Sequence, residues 1–334
     1  MAELYGDNKP AQIGIAVALS MLVMIDLIGN ILVILVILTN KSMKTPINYL
    51  LVNLAIADIM VGLFMAPRFI FSQFFNHPDG IGGKVMCSLL TGANIAWLAL
   101  VASSASLVAI SLERYFAIVR PLSTKYRLTK KKVKRTSILC WVFGLVINLP
   151  LFFIRVYDKK DKLCVESWPK DKQWLAIAYS AVWFIAVGVV PIAVMVVVYS
   201  RVVYALWFKR SQQQGTQQAV EKSRKRVTKM VVCVSVIYAA CMLPNLTMYL
   251  LDYITDQKEY DVQYIISIIL YALNSSINPV VYTFQSQHFR QQMKKLVCCG
   301  KLSAGVDMEI SNISLNKSRS YVVSSATSLE TIAN

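Results

Sequence analysis

The chain has 334 residues, of which 56% are hydrophobic and only 16% charged, whereas an ordinary soluble domain carries about 25% charged residues. Its 35 Lys and Arg outnumber 18 Asp and Glu, for a formal net charge of +17 at pH 7. This balance excludes an ordinary soluble domain and is the composition of a membrane protein.

A hydrocarbon layer of about 30 Å takes roughly 20 helical residues to cross. Seven stretches are long enough: 12–38, 47–73, 86–112, 136–154, 174–208, 227–251 and 262–285. Four runs within them, 88–112, 136–154, 173–200 and 230–251, contain no charged residue. Buried helices of a soluble core do not account for so many uncharged runs in one chain. The expected architecture is an all-α membrane protein: an outer N-terminus (1–11), a seven-transmembrane helix bundle (12–285), a short amphipathic eighth helix on the membrane surface (286–299) and a disordered cytoplasmic tail (300–334).

Span one carries Asp26 and, one turn later on the same face, Asn30. Its apolar run is longer than a cleaved signal core and is followed by Lys41 and Lys44, so it is expected to stay in place as an anchor. The segments 41–44, 120–135, 201–229 and 290–319, at the ends of odd-numbered spans and in the tail, hold 24 Lys and Arg, whereas the opposite side holds 10, with 11 Asp and Glu. Such an asymmetry predicts an outer N-terminus and a cytoplasmic C-terminus. Topology accounts for the net charge, and no nucleic-acid partner is expected.

Span two contains Asn53-Leu54-Ala55-Ile56-Ala57-Asp58. An ionisable residue at the bilayer centre costs about 2.5–3.5 kcal/mol and marks a functional position. Asp58, Asn30 and, on span seven, Asn274, Ser275 and Asn278 are expected to gather as a buried polar cluster. Two readings stand side by side: a site for water or a cation such as sodium, or a purely structural hydrogen-bond network. Cys87 at the outer mouth of span three and Cys164 in the longest outer loop both face an oxidising compartment and can pair. Cys140, Cys233 and Cys241 lie inside spans, as small apolar residues do. Glu113-Arg114-Tyr115 ends span three at the cytoplasmic edge. Pro191, Pro244 and Pro279 each remove a helical hydrogen bond from spans five, six and seven, which suits a bundle that changes shape and equally suits a transporter. The basic run 222–226 is expected to prolong span six into the cytosol as helix. Cys298 and Cys299 follow the amphipathic segment and are palmitoylation candidates. His77 and His288 lie at opposite ends of the topology, no nucleophile or metal constellation is visible, and no enzymatic activity is expected.

Seven features in order bring a resemblance: Gly29-Asn30, Asn53 to Asp58, Glu113-Arg114-Tyr115, Trp141, Pro191 with Tyr199, Cys241-Met242-Leu243-Pro244, and Asn278-Pro279-Val280-Val281-Tyr282. Over about residues 12–299 the chain resembles the rhodopsin-like G-protein-coupled receptors, most like those for neuropeptides. The resemblance implies a plasma-membrane receptor that binds an extracellular ligand and activates heterotrimeric G proteins. In it, Arg114 is held by Glu113 at rest and later meets Tyr199 and an inserted G-protein helix. Ile118, Pro121 and Leu122 would pack on the G protein, and Tyr282, after Pro279, would swing inward on activation. It also implies a sodium and water site at Asn30, Asp58, Asn274 and Asn278 and a Cys87–Cys164 disulfide. Ser324, Ser325, Thr327 and Ser328 in the tail are candidates for phosphorylation and arrestin binding, and a disordered, solubilising tail would carry the same residues.

Three departures qualify it. Met242 replaces the tryptophan before the span-six proline, which shifts attention to Tyr238. Cys87 and Arg114 are two positions further apart than the family has them, so span three is expected to bulge, with Asn94 or Ala96 at its central ligand-facing position. No acid stands near Arg224 to hold Arg114, from which high basal activity is expected.

The absence of Asp and Glu from 88–112 argues against a protonated monoamine ligand, and the absence of Lys between Val262 and Gln287 removes the attachment point of retinal. Asp252, Asp256, Glu259 and Asp261 against Lys258 in the third outer loop are a local excess of acid with two readings, attraction of a cationic ligand or simple solvation of an exposed loop, and the charged loop 155–172 resembles the hairpin of peptide receptors. A neuropeptide is therefore expected, with a lipid or neutral small molecule as the alternative ligand and a transporter or channel using Asp26 and Asp58 as the alternative class. Expected ligand contacts are Gln73, Asn94, Ala96, Trp97, Met242, Asn245, Tyr249, Tyr264 and Tyr271.

Overall fold

In lipid the backbone has no water to bond, so spanning segments close their hydrogen bonds within helices. The computed structural model describes residues 9–71, 77–78, 80–121, 123, 128–158, 163–207, 216–255 and 262–299. Among them seven helices are long and apolar enough to cross a membrane: Gln12–Thr39, Pro46–Phe69, Ile81–Val119, Lys130–Ile154, Trp174–Trp207, Lys225–Thr255 and Tyr264–Gln285, here spans one to seven. Spans three and seven are the most enclosed and span four the least. Ile138, Leu139, Val142, Leu145, Val146 and Leu149 of span four are all exposed, as a lipid-facing side requires. Span three packs against spans two, four and five and touches six; span seven lies between six and one.

Several helices run past the apolar stretches that announced them. Span three continues to Val119, so Glu113, Arg114 and Tyr115 sit within its helix. Span four starts at Lys130, where the Lys132 amide donates to the Thr129 hydroxyl at 3.3 Å. The helix containing span six covers Thr216–Thr255. Hydropathy registers where lipid begins, whereas a helix ends only where capping or a breaker ends it. Span two stops earlier than expected, at Phe69, with Pro67 in its last turn.

Two spans depart from regular α geometry. In span three a π turn over Cys87–Thr91 precedes Ala93, whose φ of 59° is left-handed, before helix resumes at Asn94. This break lies where the two additional residues between Cys87 and Arg114 had to be accommodated. Span five contains a second π turn, Phe184–Val189, directly before Pro191. Beyond span four, β1 (Arg155–Asp158) and β2 (Leu163–Glu166) form an antiparallel hairpin that pairs Arg155 with Glu166 and Tyr157 with Cys164. The helix Gln287–Cys299 is a separate unit. Phe289, Met293 and Leu296 recur on it at amphipathic spacing, with Arg290, Lys294 and Lys295 on its other sides.

Candidate functional site

Toward the C-terminal end of span three, Arg114 forms an ion pair with Glu113, both side chains largely enclosed. Tyr199 of span five is buried and accepts from the Ser235 hydroxyl of span six at 3.3 Å. Pro121 is exposed, while Leu122, like the side chain of Arg224, lies outside the described residues.

The polar cluster assembles in mid-bundle. Ser103 donates to Asp58 Oδ1 at 2.9 Å and the Asn278 amide to Oδ2 at 2.8 Å. The Asn30 amide donates to Asp26 Oδ1 at 2.6 Å and to the Ser275 carbonyl at 3.3 Å, tying span one to seven. Asp26, Asn30, Asp58, Asn274, Ser275, Asn278 and Tyr282 are all buried. Two close approaches need glycine: a Cβ at Gly29 would collide with the Pro279 ring, and one at Gly62 with the Asp26 carboxylate. Beside this cluster, Asn53 donates to Ser106 at 2.8 Å and accepts from the Trp141 indole at 3.1 Å, linking spans two, three and four. Ser103 and Ser106 were absent from the sequence expectations, because a hydroxyl inside an apolar run does not reveal which face it occupies.

At about the same level of span three, Tyr238 joins three spans. The Tyr238 hydroxyl donates to the Val187 carbonyl, within the π turn that precedes Pro191. Its one proton is thereby used, so Ser104 is the donor in the 2.6 Å contact between the two hydroxyls. Tyr238, Ser104 and Val187 are all buried.

At the opposite end of the bundle lies a partly open pocket lined by Trp97, Leu151, Arg155, Glu166, Trp183, Asn245, Leu246, Tyr249 and Tyr264. Four expected contacts, Trp97, Asn245, Tyr249 and Tyr264, are on this wall. Four others lie in helix packing: Asn94 and Ala96 are wholly enclosed, the Asn94 amide donating to the Leu151 carbonyl at 3.2 Å, and Met242 and Tyr271 are fully buried. The break before Asn94 is what turns that residue toward span four and leaves Trp97 on the cavity. Tyr271 stands edge-on to Trp97, ring centroids 5.0 Å apart. Gln73 lies outside the described residues.

The hairpin covers this region and is fastened from several sides. Cys87 and Cys164 form a disulfide. The Arg68 guanidinium donates to the Cys164 carbonyl at 2.7 Å, and His77 stacks on Tyr157 with centroids 3.9 Å apart. Glu166 is the centre of a polar knot. Its Oε1 accepts from Arg155 at 3.0 Å, and its Oε2 from Trp168, Tyr249 and Tyr253 at 3.2, 3.0 and 2.7 Å. Arg68, Arg155 and Glu166 were not foreseen as site residues; four-residue strands with charged ends carry little signal, and cross-strand partners show only once the register is known.

Seven membrane-crossing helices with a hairpin-covered cavity at one end and an acid–arginine pair at the other define a seven-span membrane receptor. The model of the 7 transmembrane receptor (rhodopsin family) matches residues 29–282, and the chain belongs to that family. It is similar to the tachykinin-like peptides receptor 86C of Drosophila melanogaster, 28% identical over 85% of this chain and 58% of the relative. It is 27% identical to galanin receptor 2a of Danio rerio over 87% of this chain and 80% of that receptor. Neuropeptide receptor 22 of Caenorhabditis elegans is 30% identical over 79% of this chain and 64% of its own length. The matched region thus spans less than two thirds of the fly and worm relatives.

Proposed function

We propose that the chain is a G-protein-coupled receptor of the plasma membrane, with its N-terminus outside and C-terminus in the cytoplasm, that binds a peptide in the cavity beneath the hairpin and activates heterotrimeric G proteins. The observation that carries this reading is that one helix, span three, presents Trp97 to the cavity and the Glu113–Arg114 pair to the opposite end. The names of the relatives, receptors for tachykinin-like peptides, galanin and a neuropeptide, support a peptide ligand, as does a wall combining indoles, phenols and charged groups. Arrestin binding through the tail and lipid attachment at Cys298 and Cys299 belong to the same proposal.

The test is a peptide library applied to cells expressing the chain, with calcium and cAMP as readouts. A peptide response that disappears in Arg114→Ala at equal surface expression is expected; an equal response through that variant overturns the role of Arg114. Activation by lipids or neutral small molecules alone would overturn the peptide assignment and leave the receptor class standing. Among the described residues Glu113 is the ion-pair partner of Arg114, so signalling without ligand is expected to exceed that of cells lacking the chain, and an equal level contradicts this.

A sodium ion belongs to the same proposal. The Asn30 and Asn278 side-chain oxygens are buried without hydrogen-bond partners, and with the Asp58 carboxylate they supply the hard oxygen donors that a small cation takes. Asp58, Asn30 and Asn278 would hold it and Asn274 border it; the ion would supply the positive charge that the enclosed carboxylate needs. Replacing sodium by a bulky organic cation at constant ionic strength is expected to lower the thermal stability of the purified chain by about 1.4 kcal/mol, the value for a ligand at tenfold its Kd, and to leave Asp58→Asn unchanged.

A further inference from the structure

The inner ends of spans five and six carry a cluster that neither ligand binding nor the Arg114 pair uses. The uncharged runs of spans five and six, 173–200 and 230–251, stop short of Trp207 and Lys225, which places both near the same membrane boundary. Lys225 and Lys229 are one turn apart and share a face. The Lys225 ammonium lies 5.7 Å and the Lys229 ammonium 5.9 Å from the centroid of the Trp207 ring. Trp207 is 43% exposed, and Tyr204, three residues before it on the same side, is 66% exposed. Tryptophan and tyrosine settle at the headgroup level of a bilayer, one end apolar and one wet. Two ammonium groups beside one indole concentrate positive charge at one place, which attracts an anion. Basic groups between spans on the cytoplasmic side meet the phosphates of anionic lipids at this depth.

We propose that Lys225, Lys229, Trp207 and Tyr204 form a binding site for the phosphorylated headgroup of an anionic membrane lipid. The lysines supply the charge, the aromatic pair sets the depth, and the lipid bridges spans five and six at their inner ends. This rests on the cytoplasmic assignment of these ends in the proposed topology. It does not depend on peptide binding or G-protein coupling.

The test is equilibrium binding of a fluorescent short-chain phosphatidylinositol bisphosphate to the purified full chain in detergent, without ligand or G protein, so that a failed receptor assignment does not affect the outcome. Saturable binding is expected. At about one surface-lysine contribution each, it should weaken about fivefold in Lys225→Gln or Lys229→Gln and about 30-fold in the double variant. Trp207→Leu should weaken it too, and Lys225→Arg with Lys229→Arg should retain it and so report on folding. Lys131→Gln with Lys134→Gln, on the exposed start of span four, should leave it unchanged. Equal weakening in the span-four variant, or full binding by the double glutamine variant, overturns the site. Competition by soluble inositol trisphosphate as strong as that by the lipid overturns the assignment to a membrane lipid.

Discussion

Glu166→Ala is expected to destabilise the chain by about 3–5 kcal/mol, the range for breaking a buried ion pair by removing one partner. Arg155 and Glu166 have side chains only 5% and 4% exposed, so the remaining guanidinium would be left charged in an enclosed site. The Trp168, Tyr249 and Tyr253 donors would also lose their shared acceptor, and the hairpin would lose its tie to span six. Glu166→Gln preserves size and an acceptor and should cost less. Replacing both Arg155 and Glu166 by leucine should recover much of the loss, because no charge is then stranded. Thermal unfolding of the four purified proteins checks the order. A Glu166→Ala protein as stable as the double leucine variant would show that the pair is not effectively buried.

Tyr238→Phe is expected to raise ligand-independent signalling about tenfold or more. The phenol is the side-chain donor to the Val187 carbonyl and the acceptor for Ser104, and loss of a buried hydrogen bond typically costs about 1–3 kcal/mol. Arg114 is paired with Glu113 in this arrangement, so the tie belongs to the state in which that pair is closed. Weakening one state by about 1.4 kcal/mol shifts a two-state population tenfold. Ser104→Ala should move signalling in the same direction by less. The measurement is basal cAMP or calcium signal normalised to surface expression. Lower stability with unchanged basal signal would make the tie a scaffold common to both states.

Both effects reside in features that the sequence revealed unevenly. The seven spans were legible because membrane insertion demands about 20 apolar residues and few charges, and the extent of each apolar run is written directly in the chain. Helix ends were less legible: Glu113 and Arg114 looked like the stop of span three, yet the helix carries them onward to Val119. Spacing announced a disturbance in span three, and the break around Ala93 explains why Trp97, and neither Asn94 nor Ala96, lines the cavity. Pro191 signalled a weakened span five, but not that Tyr238 would donate to the nearby Val187 carbonyl, since the two are 51 residues apart. The Arg155–Glu166 pair and the Arg68 contact with the hairpin have no local pattern, because they depend on register and on helix rotation.

Occupancy of the hairpin-covered cavity is expected to change the availability of Arg114 at the other end of span three. Guanine-nucleotide exchange on a purified G-protein heterotrimer tests it most directly, with the chain in nanodiscs and an activating peptide from the library. Exchange accelerated by the peptide in the parent protein and absent in Arg114→Ala is the predicted result. Peptide binding with no acceleration by the parent protein across the G-protein subtypes, or equal acceleration through Arg114→Ala, would contradict the account.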